Sequence, residues 1–215
     1  MPRFDGALAT FGHAMDRARQ MVSLYDALSA LRPNEPANDD ALRSAYILAV
    51  SSFDFFVHEL VAIEARHRFS EPKRTRNISL PMEIITITDA ETRVAQAEAH
   101  VRRVNSYKAF VDPAKLADVL SCYCVDPWDK ITTLINGSVP GSTARSADDI
   151  KGQLRSIWKR RNKIAHEADV NPTLAGVSLW PIDKTDAQIT IAFMYQLGCC
   201  FPALMESVLE PQDAA

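Results

Sequence analysis

The chain has 215 residues, 47% of them hydrophobic and 24% charged, which is enough to bury a sizeable core and falls inside the range of one globular domain spanning 1–215. Its formal net charge of -3 excludes a global electrostatic pull toward nucleic acid, so any polyanion site must be a local cluster of Lys and Arg. Only seven glycines punctuate long tracts of Ala, Leu, Arg, Glu and Asp, and that composition favours helices over sheet.

From Phe4 to Leu31 the apolar residues Leu8, Phe11, Met15, Ala18, Val22, Tyr25, Leu28 and Leu31 recur at three and four, predicting one long helix ended by Pro33 and Pro36. Asn38 is the expected N-cap of a second long helix running through Leu42, Tyr46, Val50, Phe53, Phe56 and Val61 to about Phe69. Its middle is apolar nearly all round, so it is expected to be the central helix. The basic stretch Ser70 to Ser79, with Lys73, Arg74 and Arg76, reads as a surface loop, either simply solvated or RNA-binding.

Thr88-Asp89-Ala90-Glu91 has the capping-box pattern and predicts a third helix to about Phe110. Asp112-Pro113 and Asp126-Pro127 each read as a cap followed by proline at the first helical position. Gly137 to Ser142 is a turn-rich break, after which Ser146 starts a helix through Ile150, Leu154 and Trp158 that Asn171-Pro172 stops. An extended piece around Val177 to Pro181 precedes a last helix, opened by Thr185-Asp186, ending near Leu209 and kinked or shortened by Pro202.

The spacings Cys122-x-Cys124 and Cys199-Cys200 are too tight for an ordinary disulfide framework and lack nearby His for zinc, so all four read as small core residues. The N-terminus leads into an amphipathic tract rather than a signal peptide, and no run approaches the ~18 apolar residues of a spanning helix. A soluble, cytoplasmic chain without membrane contact is expected.

Chemistry concentrates on the helix from Asp148 to Glu167. Its apolar stripe is Ile150, Leu154, Ile157, Trp158, Ile164, Ala165 and Ala168, and Arg161 falls in the middle of it. A guanidinium in place of a leucine must find a carboxylate, a phosphate or a subunit interface, because an unpaired charge out of water costs several kcal/mol. Asn162 and His166 share a face, while Arg161 lies about 140° round from His166 on an ideal helix. Only the reach of arginine lets the three converge.

On the central helix, Ser51, Asp54 and His58 form a polar stripe inside Ala45 to Ile63, with Glu59 beside it. Asp54 is the candidate partner for Arg161. The alternative is that Asp54 and His58 pair with each other as a satisfied internal hydrogen bond.

The segment Arg160-Arg161-Asn162-Lys163-Ile164-Ala165-His166-Glu167-Ala168-Asp169 resembles the R-N-x-x-x-H signature of HEPN domains, in particular the RiboL-PSP-like branch with its R-N-K-I-x-H-E-A-D ending. With the 16 Arg, 7 Asn and 5 His of this chain, such a match arises by chance in about one sequence in a hundred. The resemblance implies an all-α HEPN-type helical bundle with a long central helix and additional C-terminal helices. It also implies a homodimer in which two motifs face each other across one composite cleft.

The implied activity is metal-independent cleavage of RNA, the substrate's own 2′-hydroxyl attacking the adjacent phosphorus, with no cofactor and no metal. His166 then serves as general acid or base, Arg161 holds the phosphate, and Asn162 orients either of them. Lys159, Arg160 and Lys163 are candidates for the phosphate contacts that anchor single-stranded RNA, a merely solvated face being the alternative. The family's usual setting implies a prokaryotic toxin–antitoxin or phage-defence system, with an antitoxin or other defence protein as partner. Some HEPN toxins carry a tyrosine two residues after the histidine that a partner enzyme modifies; Ala168 stands there, so that form of neutralisation is not expected.

Two rival readings remain at this point. A di-metal helical bundle needs two Glu-x-x-His pairs, and only Glu64-x-x-His67 is present. A non-catalytic HEPN module that binds nucleotides or dimerises keeps the same Arg, Asn and His, and differs only in that His166 need not reach a phosphate.

Overall fold

The computed structural model describes every residue except 1, 72–74, 77, 139–142, 175–177 and 207–215. Among the described residues the chain is all-α, with eight α-helices and no strand: α1 Asp5–Leu31, α2 Asp39–Ser70, α3 Met82–Ile85, α4 Ala90–Asn105, α5 Pro113–Leu120, α6 Pro127–Ser138, α7 Ala147–His166 and α8 Lys184–Met205. Short 3₁₀ turns at Pro2–Phe4 and Pro36–Asn38 introduce α1 and α2.

The α2 helix is the axis of the bundle because its apolar residues occupy nearly all its sides: Leu42, Ala49, Val50, Phe53, Val57 and Leu60 are fully buried. Helices α1, α4, α7 and α8 pack around it. The link from α1 to α2 is short and Arg3 meets Glu64, so the two helices run antiparallel. Phe11 of α1 stacks on Phe56 of α2 at 4.4 Å, and α8 closes over the pair at Gly198. A Cβ there would stand 2.5 Å from Phe11 Cε1, so only glycine lets α8 approach this closely.

Two buried polar anchors fix the packing. Tyr123 donates its hydroxyl to Val61 O at 3.1 Å, and Glu64 of α2 accepts from Arg3 at 3.0 Å and Arg68 at 2.6 Å. Glu64 is therefore held by two guanidinium groups.

Asn38 precedes α2 but does not cap it: its amide donates instead to Arg32 O at 2.9 Å, tying the end of α1 to the start of α2. At α4 the cap is Asp89, not Thr88, and the helix ends at Asn105, five residues before Phe110. Asp112 caps α5 as expected, whereas Asp126 adopts a left-handed backbone before Pro127. Pro202 lies within α8, which runs on to Met205. The short helix α3 had no sequence signal, and Lys73, Arg74, Val177 and Leu209 lie outside the described residues.

Cys124 and Cys200 are buried and Cys122 is half-buried, but Cys199 is exposed, against the expectation that all four are core. By length and composition α2 and α8 are each apolar enough to cross a membrane, which corrects the sequence reading. Half of the α2 window and 61% of the α8 window are buried inside the protein, and the two helices pack on each other as core helices do.

Candidate functional site

Helix α7 starts at a complete capping box: Ser146 Oγ accepts the Asp149 N–H while the Asp149 carboxylate accepts the Ser146 N–H. Ile150, Leu154, Ile157 and Ile164 then bury one face against α2, α5 and α6. Tyr46 of α2 helps to hold the two helices together, its hydroxyl 3.4 Å from Ile157 O. Burial pushes the Tyr46 phenol up to about 12.

The helix stops at His166, earlier than Asn171-Pro172, because Ala168 and Asp169 take left-handed backbones. Lys163 O accepts both the Glu167 and Asp169 N–H groups at 3.0 Å, which wraps the chain around the helix end. The apolar stripe ends with it: Ile164 is buried, but Ala165 and Ala168 are exposed.

Beyond the turn, Asp169 is wholly buried and accepts from two arginines. Arg160 Nη1 and Nη2 reach it at 2.6 and 2.9 Å, and Arg43 Nε of α2 reaches it at 2.8 Å. The same guanidinium groups donate to the carbonyls of Pro181 and Trp180 at 3.1 and 3.0 Å. A doubled-back segment, with Val170 bridging Leu179 and Trp180 N–H donating to Asp169 O at 2.8 Å, completes the clamp. Lys163 Nζ sits 4.2 Å from the centre of the Trp180 ring. Of the three candidate RNA-anchoring cations, Arg160 is thus fully engaged inside the protein, Lys163 lies over an indole, and Lys159 is exposed.

Arg161, next in sequence, is in the opposite state. One of its terminal nitrogens, Nη1, donates to Asn162 Oδ1 at 3.2 Å, while its Nε is buried and has no partner. It forms no direct ion pair with Asp54, although its charge acts on that carboxylate from farther away. The Asp54 carboxylate instead accepts the Phe110 N–H at 2.6 Å and lies 4.0 Å from His58 Nε2. Burial pushes the Asp54 carboxyl above the ordinary carboxylate range, against the opposing pulls of His58, the Phe110 N–H, Arg161 and the Val111 N–H.

His58 Nε2 is 3.1 Å from Lys108 O and its ring tilts against Phe110 at 4.4 Å. Asp54 and His58 therefore both fasten the 108–110 segment, more than they bond to each other. Ser51 and Glu59 belong to another side of α2, lining a groove against α1.

His166 is exposed at the last turn of α7, and Asn162 is half-buried one turn before it on the same face. Arg161 is hydrogen-bonded to Asn162 and its charge acts on Asp54 of α2, while His166 is exposed and makes no hydrogen bond with Arg161 among the described residues. Sequence reasoning missed Arg43, Asp169 and Trp180. The available signal was Arg43 itself, a charge set among Ala41, Leu42 and Ala45 on a helix apolar all round.

Glu64, weighed above as half of a metal-binding pair, is taken by Arg3 and Arg68, and His67 lies 3.7 Å from Glu71. Among the described residues no group of three or more His, Cys, Asp or Glu is placed to hold a metal ion.

A family model described as RiboL-PSP-HEPN matches residues 15–189 of the chain. No curated protein and no solved structure matches it with significant similarity.

Proposed function

The chain belongs to the RiboL-PSP-HEPN family, which supports a ribonuclease-like or RNA-binding module; from that premise we propose that it is a metal-independent endoribonuclease acting as a homodimer. The observation that carries this reading is Arg161, whose Nε is buried without a partner at the edge of the core. A buried donor left unpaired costs about 1–3 kcal/mol, more for a charged group, and is retained where a ligand supplies the missing acceptor. A phosphate supplies several acceptor oxygens in the plane a guanidinium fork requires.

In the proposed reaction His166 removes the proton from the ribose 2′-hydroxyl. The 2′-oxygen attacks phosphorus and the bond from phosphorus to the 5′-oxygen breaks. The departing 5′-oxygen takes a proton from the His166 of a second copy, leaving a 2′,3′-cyclic phosphate and a 5′-hydroxyl. Arg161 neutralises the charge that builds on the non-bridging oxygens, and Asn162, which already accepts from Arg161, fixes its orientation. Two copies are required in this reading because the base and the acid are the His166 side chains of two facing motifs, each with its own Arg161 about 140° round α7. His166 is exposed, as catalysis requires, whereas a packing role asks only that it be buried. On the family's usual setting, the enzyme is the toxin or triggered effector of a prokaryotic conflict system.

The test is incubation of the protein with total RNA and transfer RNA in EDTA, beside Arg161→Ala and His166→Ala proteins of unchanged fold and mass. The expected result is cleavage leaving cyclic phosphate ends, lost in both variants. Cleavage at the wild-type rate in either variant, or cleavage that needs added metal, overturns the proposal.

A further inference from the structure

Helix α7 differs in charge from the chain as a whole. From Ile150 to His166 it has six Lys or Arg and no Asp or Glu, in a protein whose formal net charge is -3. Four of these cations are engaged by the protein itself. Arg160 donates to Asp169, Arg161 donates to Asn162, Lys163 lies over Trp180, and Lys151 pairs with Asp148 at 3.3 Å beside the Trp128 ring. The other two, Arg155 and Lys159, are exposed and make no hydrogen bond or ion pair among the described residues.

Their placement relative to the motif follows from helix geometry. On an ideal helix Arg155, Lys159, Asn162 and His166 fall within an arc of about 60°. The buried residues Ile150, Leu154, Ile157 and Ile164 occupy the opposite side of α7. Arg155 and Lys159 are about 6 Å apart along the axis, and His166 lies about 10 Å beyond Lys159. The two unengaged cations therefore form a row on the solvent side of α7 that leads to the histidine assigned to the proton transfers.

The kind of partner follows from what the row lacks. A protein partner is anchored by aromatic and aliphatic side chains at the centre of its footprint. Among the described residues, no large hydrophobic side chain is exposed on α7. Cations at a regular spacing without an apolar centre fit the backbone of a single strand, which repeats one negative charge per nucleotide and is followed by a positively charged surface.

We propose that the solvent face of α7 is the track of the RNA strand, with Arg155 and Lys159 each holding a backbone phosphate on one side of the bond on which His166 acts. The assignment rests on the ribonuclease reading and extends it from the scissile phosphate to the phosphates that flank it. Both contacts are to phosphate, so they supply affinity and register without base preference.

The experiment measures binding to the intact protein of a fluorescent RNA of about a dozen nucleotides across a salt series, read by anisotropy. Every 2′-hydroxyl of the probe is methylated, which removes the nucleophile and prevents cleavage. Each phosphate contact to a single strand contributes about 0.7 to the slope of log Kd against log salt. Arg155→Gln and Lys159→Gln are each expected to lower the slope by about 0.7, and the double variant by about twice that. Arg17→Gln, which removes an exposed charge from α1, is expected to leave it unchanged. A probe that does not bind, or a slope equal in wild type and double variant, overturns the track. So does a double variant that loses binding to an oligoglutamate peptide and keeps its affinity for the RNA, which assigns the row to an acidic protein. If the slopes fall as expected but no preparation cleaves unmodified RNA, the ribonuclease reading falls and the track stands. If unmodified RNA is cleaved and the slopes do not fall, the reverse holds.

Discussion

Arg160 and Arg161 are adjacent on α7, carry the same charge, and meet opposite surroundings. Arg160 donates to Asp169 with both terminal nitrogens, shares that carboxylate with Arg43, and closes the turn that ends the helix. Arg161, about 100° further round the helix, has one bond to its neighbour Asn162 and a buried Nε without a partner. The first arginine holds the helix end in place; the second is held in place by it. Charge alone does not mark a functional residue: what separates the two is whether the protein itself satisfies the guanidinium.

The largest effect that tests this contrast comes from Asp169→Ala. Removing the shared carboxylate leaves the buried Arg43 and the half-buried Arg160 without their common partner, and stability is expected to fall by about 3–5 kcal/mol in urea unfolding. A loss below about 1 kcal/mol means that the clamp is not what fastens the turn. Next in size is Arg161→Ala, expected to lower the rate of RNA cleavage by about 10²- to 10³-fold, in the range of losing a transition-state donor. Its stability is expected to stay within about 1 kcal/mol of wild type, because no ion pair is given up. If Arg161→Ala unfolds the protein as readily as Asp169→Ala does, both arginines are structural and the contrast collapses.

How far the sequence reveals this contrast depends on the range of each interaction. The long helices, the Ser146 cap and the anomaly of Arg161 all follow from periodicity and local hydrogen bonding, and the structure bears out the all-α bundle and its central α2. The Arg43–Asp169 pair spans 126 residues, and no local pattern announces such a contact. Nor does one announce the left-handed backbones of Ala168 and Asp169, since neither residue is glycine; periodicity alone carries the helix on to Asn171. Asp54 shows the middle case. Its neighbourhood with Arg161 was legible from polar spacing on two helices. Its real partner, the Phe110 N–H, comes from a loop whose path the sequence does not give.

A smaller effect sharpens the same point at the other end of α7. Ser146→Ala removes one half of the capping box and is expected to cost about 1 kcal/mol, measured by urea unfolding. RNA cleavage per folded molecule is expected to stay unchanged, because Ser146 is about five and a half turns of helix from His166. A drop in cleavage without a drop in stability would mean that the N-terminal end of α7 contributes to the site.

The smallest prediction asks whether the Arg161 charge is felt inside the protein at all. Burial raises the Asp54 carboxyl in the folded state, so its stabilising contribution is present below the ordinary carboxylate range, near pH 4, and is lost as pH rises through the raised value. At neutral pH the ionised Asp54 is therefore a net cost to the fold. Asp54→Asn keeps an acceptor for the Phe110 N–H and removes that cost, giving an expected gain in stability at pH 7 that vanishes near pH 3. Arg161 is one of the groups that offset the cost. In an Arg161→Ala background the same Asp54→Asn substitution should therefore gain more, by a few tenths of a kcal/mol. Equal gains in the two backgrounds would show that the charge of Arg161 does not reach Asp54. In that case Arg161, with its Nε unpaired, acts only on what binds from outside the chain.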